Sequence, residues 1–212
     1  MSNIIAVSLS LTLTVIPIFL RYFVKKHYEK LLKDLDQPDN NCYYECVFID
    51  YKNFYCKPHL INRQECGDHC SYTQLKRLLH YITSAKKSVS MCMYTLTLRQ
   101  VTEELVKVSQ KGVTVRLITD KVMAKTTPVQ SNLNHLAKYG INYKVSRSTN
   151  EMMHHKFCLI DEKDPQTAKV FFGTINLTAQ GFCKNFESLI YTNDKNIIQR
   201  LSTEFEQLWL SF

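Results

Sequence analysis

Glycine and proline are scarce, with 5 of each in 212 residues. That leaves little room for long linkers and excludes a collagen-like chain. There is no internal repeat and no low-complexity tract. Acidic residues are also in the minority, 19 Asp and Glu against 27 Lys and Arg, for a formal net charge of +8. With 45% hydrophobic and 22% charged residues, the chain is neither disordered nor a small disulfide scaffold. A domain of this length buries a full core without staples. Excess positive charge favours polyanionic partners, nucleic acid or an anionic phospholipid membrane, against the plainer reading of a solvated lysine-rich face.

The longest uncharged run is residues 4–20, IIAVSLSLTLTVIPIFL. A spanning helix needs roughly 17–25 residues, so a transmembrane anchor over 1–24 is expected. No basic residue precedes the run and no small-residue cleavage site follows it, which disfavours a secretory signal peptide. A buried soluble helix is the other alternative. Arg21, Lys25, Lys26, Lys30 and Lys33 against Glu29 put a net +4 in residues 21–33. This flank predicts a single pass with the body of the chain in the cytosol. Residues 25–41, polar and containing DQPDNN, read as a stalk.

Beyond residue 70 the periodicity alternates between 3.6 and 2. Helices are predicted over 72–86, 98–111, 128–139 and 194–211. Strands are predicted at 88–94, 113–120, INYKVS, HKFCLID, AKVFFG and ESLIYT. Gly112 and Gly140 fall where helix ends need them. Interleaved strands and helices predict an α/β fold over 71–212.

Between 42 and 70 lie Cys42, Cys46, Cys56, Cys66 and Cys70, with His59 and His69 among them. In a cytosolic protein such clustering suggests structural zinc rather than disulfides, with free thiols as the alternative. Cys66 and Cys70 are close in sequence, and Cys56 and Cys46 would complete four ligands. Cys92 and Cys158 sit in apolar strands and read as core.

The chemistry-bearing pattern is MHHKFCLID, an H-x-K-x4-D over His154, Lys156 and Asp161. On a strand, period 2 turns His154 and Lys156 to one face. A phosphodiester needs that pairing, a cation for its oxygens and a nucleophile for its phosphorus. Thr174 and Asn176 in GTIN offer further donors, and Glu187 in NFES is a carboxylate that could orient an imidazole. No carboxylate cluster of the two-metal type lies near His154, so no catalytic metal is expected.

These motifs resemble the phospholipase D superfamily, whose signature is HxKx4D followed by GS or GT and Asn. MHHKFCLID, GTINLT, NFESLIYTND and EFEQLW are similar to its branch of mitochondrial cardiolipin hydrolases, the Zucchini branch. The resemblance implies a layered mixed β-sheet flanked by helices, with a small Cys-rich zinc-binding insert at 42–70. It implies His154 as nucleophile through a phosphohistidine, and Lys156, Thr174 and Asn176 as substrate-binding groups. Glu187 would orient His154, and Asp161, a member of the catalytic motif, would support the site through its own hydrogen bonds. By register, Cys56, Cys66 and Cys70 match family zinc positions, while one position falls on Gln64, so that Cys46 or His69 must substitute. The loop EKDPQTAK is longer than the family pattern and reads as a hairpin extension.

The superfamily's full site uses two motif copies, and no other histidine here is followed by x-K-x4-D. One copy per chain predicts a homodimer with a shared active site. The resemblance implies single-stranded RNA cleavage in piRNA maturation at the mitochondrial outer membrane, or cardiolipin hydrolysis. A basic groove would draw on Arg99, Lys107, Lys111, Arg116, Lys121, Lys125, Lys138, Lys144 and Arg147. A membrane-tethered RNA-binding scaffold with an inactive site and a lipid transferase are the competing readings.

Overall fold

The computed structural model describes residues 16–30 and 42–212, which fall into two units divided after Cys42. Residues 16–30 form one exposed helix, with Lys25 and Glu29 paired at 3.8 Å one turn apart. Residues 25–30, expected in the stalk, therefore continue that helix. Residues 1–15, most of the predicted anchor, and 31–41, most of the stalk, lie outside the described residues. Among the described residues no helix is long and apolar enough to cross a membrane.

The second unit is built on a seven-stranded sheet in the order β1-β7-β6-β5-β2-β3-β4. The strands are β1 (Tyr44–Ile49), β2 (Ser88–Met93), β3 (Thr114–Thr119), β4 (Asn142–Val145), β5 (Lys156–Ile160), β6 (Lys169–Gly173) and β7 (Glu187–Thr192). The helices are α1 (Lys57–Asn62), α2 (Ser71–Thr83), α3 (Arg99–Gln110), α4 (Lys121–Ala124), α5 (Thr127–Lys138), α6 (Ala179–Cys183) and α7 (Lys195–Ser211). β2, β3 and β4 run parallel, joined by helical crossovers. β5, β6, β7 and β1 continue the sheet antiparallel. This is the mixed sheet that the alternating periodicity predicts.

Period 2 assigns side chains to the two faces. Val89, Met91 and Met93 of β2 join one core with Leu75, Leu78 and Ile82 of α2 and Leu105 of α3. Cys92, Ile118, Phe157 and Leu159 point the other way and pack on Ile198 and Phe205 of α7. Cys92 and Cys158 are fully buried, as their apolar strands imply. The helix α7 is further fixed by Arg116, which crosses from β3 to Glu206 at 2.7 Å and lies 4.7 Å from the Phe205 ring. Arg116 also contacts Glu162, at 3.4 Å, the Ser90 hydroxyl and, at 5.3 Å, the Trp209 ring of α7. Arg116 is thus consumed in holding a helix and is not available to a basic groove. Lys144 likewise donates to the Trp209 carbonyl, and Lys121 to that of Arg147.

The Cys-rich segment divides. Residues 44–49 are an edge strand of the main sheet, paired along β7 from Tyr44↔Thr192 to Ile49↔Glu187. Only the stretch from Tyr51 onward is irregular and Cys-centred. Asn53, buried beneath it, accepts from the Asp50 amide just past β1 at 3.1 Å and donates to the His69 carbonyl at 2.6 Å, which ties the two parts.

Candidate active site

The carboxyl ends of β2 and β3, the start of β5, the end of β6 and the start of β7 lie along one edge of the sheet. Ligands of such sheets bind outside that edge. His154 sits there in extended chain just before β5, and Lys156 opens the strand opposite Met93. His154 is exposed, whereas Lys156 is 8% exposed. The Lys156 ammonium donates to the His154 carbonyl at 2.9 Å. Both side chains meet one ring. The His154 imidazole lies edge-to-face on Tyr94 at 4.8 Å, and the Lys156 Nζ is 5.2 Å from the same ring. Tyr94 follows β2 and is carried to His154 by the β2–β5 pairing, its amide donating to the His155 carbonyl.

The electrostatics favour a neutral imidazole beside a cation. Partial burial, and then the Lys156 charge, hold His154 below the ordinary histidine value, with Asp120 opposing. Burial also lowers Lys156, while Glu187 pulls it back up. His155 is turned away, at 3.2 Å from Glu204 on α7.

Asn176 and Thr174 follow β6. Gly173 is required at the strand's end, because a Cβ there would fall on the Ser188 carbonyl. The Thr174 hydroxyl accepts from the Ser188 amide at 3.0 Å, which fixes the turn. The Asn176 Oδ1 is buried without a partner. Glu187 Oε1 accepts from Asn185 at 2.7 Å, and Asn185 in turn accepts from Gln180 at 3.3 Å. The carboxylate expected behind His154 is therefore engaged by Asn185 and reaches the site through its field on Lys156.

Asp161 lies at the far end of the strand. It stands just past β5, seven residues on from His154, which along extended chain is roughly 23 Å. It is 1% exposed and accepts from the backbone amides of Lys86, Lys87 and Ser88, at 2.7 Å for Lys87. Its own backbone is left-handed, at φ 52°. It clamps the entry to β2 and touches no reacting group.

The metal ligands also need revision. Cys56, Cys66 and Cys70 converge with His59, all donor atoms within 4.8 Å of one another. Cys46 is excluded because it lies on β1 opposite Ile190, exposed. His69 instead packs its ring near Gly67. Cys56 and Cys66 sulfurs are 3.8 Å apart, and Cys70 Sγ is 3.6 Å from His59 Nδ1. Zinc–sulfur bonds of ~2.3 Å give a tetrahedron edge of about 3.8 Å, so this donor set fits zinc. Cys70 caps α2. Burial pushes its thiol up, but amides of Cys66, Tyr72 and Thr73 outweigh it and bring it down to about 6, while the hydrogen bond to Cys70 pushes the Cys66 thiol up to about 12. The spacing Cys56-x2-His59 and Cys66-x3-Cys70 was the signal for His59.

Fold and site together define a phospholipase D-type protein, with a histidine–lysine pair at the edge of a mixed sheet. Comparison with known proteins agrees. Residues 78–209 match the family model described as cardiolipin synthase, PLD-like domain. The chain belongs to this phospholipase D-like family. It is similar to proteins named mitochondrial cardiolipin hydrolase. The relative from Chlamydomonas reinhardtii is 30% identical over 175 residues, covering 79% of this chain and 74% of the relative. The relative from Drosophila melanogaster is 29% identical, covering 69% and 63%. The chain thus spans a little under two thirds of that fly relative. Among solved structures, the phospholipase D family member Nuc from Salmonella typhimurium superimposes with a TM-score of 0.63 at 19% identity. That match covers 81% of this chain and 96% of the other.

Proposed function

We propose that the protein is a metal-independent phosphodiesterase that cleaves single-stranded RNA through a phosphohistidine on His154. The observation that carries this reading is the shared Tyr94 ring, which holds an imidazole kept neutral beside a buried ammonium. His154 attacks phosphorus with its free ring nitrogen, a P–N bond forms, and the P–O bond to the leaving group breaks. Lys156 and Asn176 hold the phosphoryl oxygens as charge builds. The leaving oxygen needs a proton, and then water must be activated. Among the described residues no second imidazole stands free at the site: His155 is tied to Glu204, and His59 belongs to the cysteine cluster. His154 of the partner subunit supplies that proton in a two-fold homodimer, then takes one from water, which attacks phosphorus as the P–N bond breaks and frees His154.

Cys56, His59, Cys66 and Cys70 would hold a structural zinc, which binds the irregular segment to α2 and takes no part in the reaction. An N-terminal anchor would keep the domain at an anionic membrane, with the mitochondrial outer membrane implied by the relatives' names. The piRNA pathway is the setting that the family resemblance implies for the RNA reaction.

Cardiolipin hydrolysis is the second reading, favoured by the relatives' printed name. Against it, five of the side chains in the wall beside Asn176, those of Thr95, Thr97, Thr178, Gln180 and Asn185, offer hydrogen bonds, and only Ala179 is apolar. The test uses labelled single-stranded RNA and cardiolipin vesicles in parallel, in EDTA, with His154→Asn as control. RNA cut by the wild type alone is the expected result. Phosphatidic acid release with intact RNA establishes the lipid reaction instead. RNA bound but not cut, with no lipid turnover, makes the protein an inactive scaffold.

A further inference from the structure

Beside the phosphate-holding groups lies a recess of about 400 Å³ lined by Thr95, Thr97, Asn176, Thr178, Gln180 and Asn185, with Ala179 its one apolar side chain. It touches the site on two sides. Thr95 adjoins Tyr94, the ring under His154, and Asn176 and Asn185 connect it to the phosphoryl-holding groups and to Glu187. Its lining carries no charged side chain, in a protein of net charge +8. A recess built for the next phosphate along a strand would be expected to present Lys or Arg.

What it offers is hydrogen bonding. The Thr178 hydroxyl is occupied, accepting from the Gly181 amide at 3.0 Å, and Gln180 and Asn185 bind each other. The Thr95 and Thr97 hydroxyls bind no other described group, although each can donate once and accept twice. Asn176 Oδ1 is unpartnered as well, and a buried polar atom without a partner is costly. Hydroxyl and amide groups without charge match ribose hydroxyls and base edges.

We propose that this recess is the subsite for the nucleoside flanking the scissile phosphate. It binds the neutral sugar and base edge through Thr95 and Thr97 while Lys156 and Asn176 hold the phosphate. The proposal rests on the RNA-cleaving reading above and specifies how substrate is chosen at that same site. Gln180, Asn185 and Glu187 form a hydrogen-bonded wall from the recess to the site, so nucleoside binding aligns the phosphate without adding to the chemistry.

The test variant is Thr95→Val with Thr97→Val, which keeps the β-branched shape and removes both hydroxyls. Loss of two neutral hydrogen bonds should raise KM for an oligoribonucleotide roughly 5- to 30-fold and leave kcat within about twofold. Bis(p-nitrophenyl) phosphate, which has a phosphodiester but no sugar, should be hydrolysed by the variant as by wild type. Equal loss on both substrates, or loss on neither, overturns the subsite. Selective loss on cardiolipin vesicles with RNA cleavage intact assigns the recess to a glycerol headgroup and likewise overturns it. A second readout does not need turnover. Fluorescence anisotropy of a labelled oligoribonucleotide on His154→Asn protein should weaken by the same factor when the two threonines are replaced, and an unchanged affinity overturns the proposal. If wild type hydrolyses neither substrate, the catalytic reading fails while the anisotropy result still decides the subsite.

Discussion

The two ends of β5 carry the two halves of one sequence motif, and they do different work. At its start, His154 is exposed and Lys156 is nearly buried, both against Tyr94. At its end, Asp161 is enclosed and bound by three backbone amides. The first end leaves an imidazole accessible, the proposed nucleophile, and tunes it by burial and charge. The second satisfies every demand internally and leaves nothing to react. Residues contiguous in a motif need not be contiguous in space, because a strand carries its ends apart by about 3.3 Å per residue.

The sharpest way to test this contrast is to strike each end separately. His154→Asn should cut turnover roughly a thousandfold or more, as expected when the group that forms the covalent intermediate is lost. Its thermal midpoint should stay near that of wild type, because the imidazole is exposed. Substantial turnover in this variant would falsify the phosphohistidine assignment. Asp161→Ala should do the reverse. It leaves three backbone amides without their acceptor and puts alanine in a left-handed conformation. We expect about 3 kcal/mol of lost stability, which lowers Tm by roughly 6–12 °C for a domain of this size. Turnover per folded molecule should fall only a few-fold. Differential scanning calorimetry together with active-fraction kinetics separates the two, and an Asp161 variant as stable as wild type but inactive would place this carboxylate in the chemistry.

The cysteine cluster gives a smaller version of the same contrast. With all four positions protein-bound, a metal there stabilises without catalysing. Cys66→Ser should lose bound zinc, read by plasma emission spectrometry, and lower Tm. Hydrolysis below the new midpoint should remain within about threefold of wild type, since structural sites act through folding. Loss of activity at full stability would tie the cluster to the reaction.

Much of this was legible in the sequence. The helices α2, α3, α5 and α7 and strands β2 to β7 follow from periodicity, because all but the edge strand β4 put side chains into a core. The residues His154, Lys156 and Asn176 follow from spacing. Three things did not. The edge strand β1 was hidden, since YECVFI buries only two residues and sits inside a run whose cysteines draw the eye. His59 lies on the short helix α1, and only the fold of the 57–70 segment returns it to Cys70. Arg116 reads as a surface cation until α7 brings Glu206 across to it. In each case the deciding partner is distant in sequence, and local pattern carries no record of it.

Tyr94 is the fourth such residue, and it supplies the smallest and most discriminating test. Its ring contacts both reactive side chains, so it should set their charge states as well as their positions. His154 is held below the usual histidine value chiefly by burial, and next by the Lys156 charge. In the proposed reaction the neutral imidazole is the nucleophile, so on the acid side the rate should rise with pH through a midpoint below the ordinary histidine value. Tyr94→Leu removes the edge-to-face contact and the cation–π contact, the latter worth about 0.5–2 kcal/mol. Turnover should fall roughly tenfold. Less desolvation of His154 should shift the acid limb upward, toward the ordinary histidine value. Tyr94→Phe keeps the ring and should preserve both the rate and the limb. A merely structural ring would lower the rate without moving the limb, and kcat/KM–pH profiles of the three proteins, with a titration of the His154 Cε1 proton by NMR, distinguish the two.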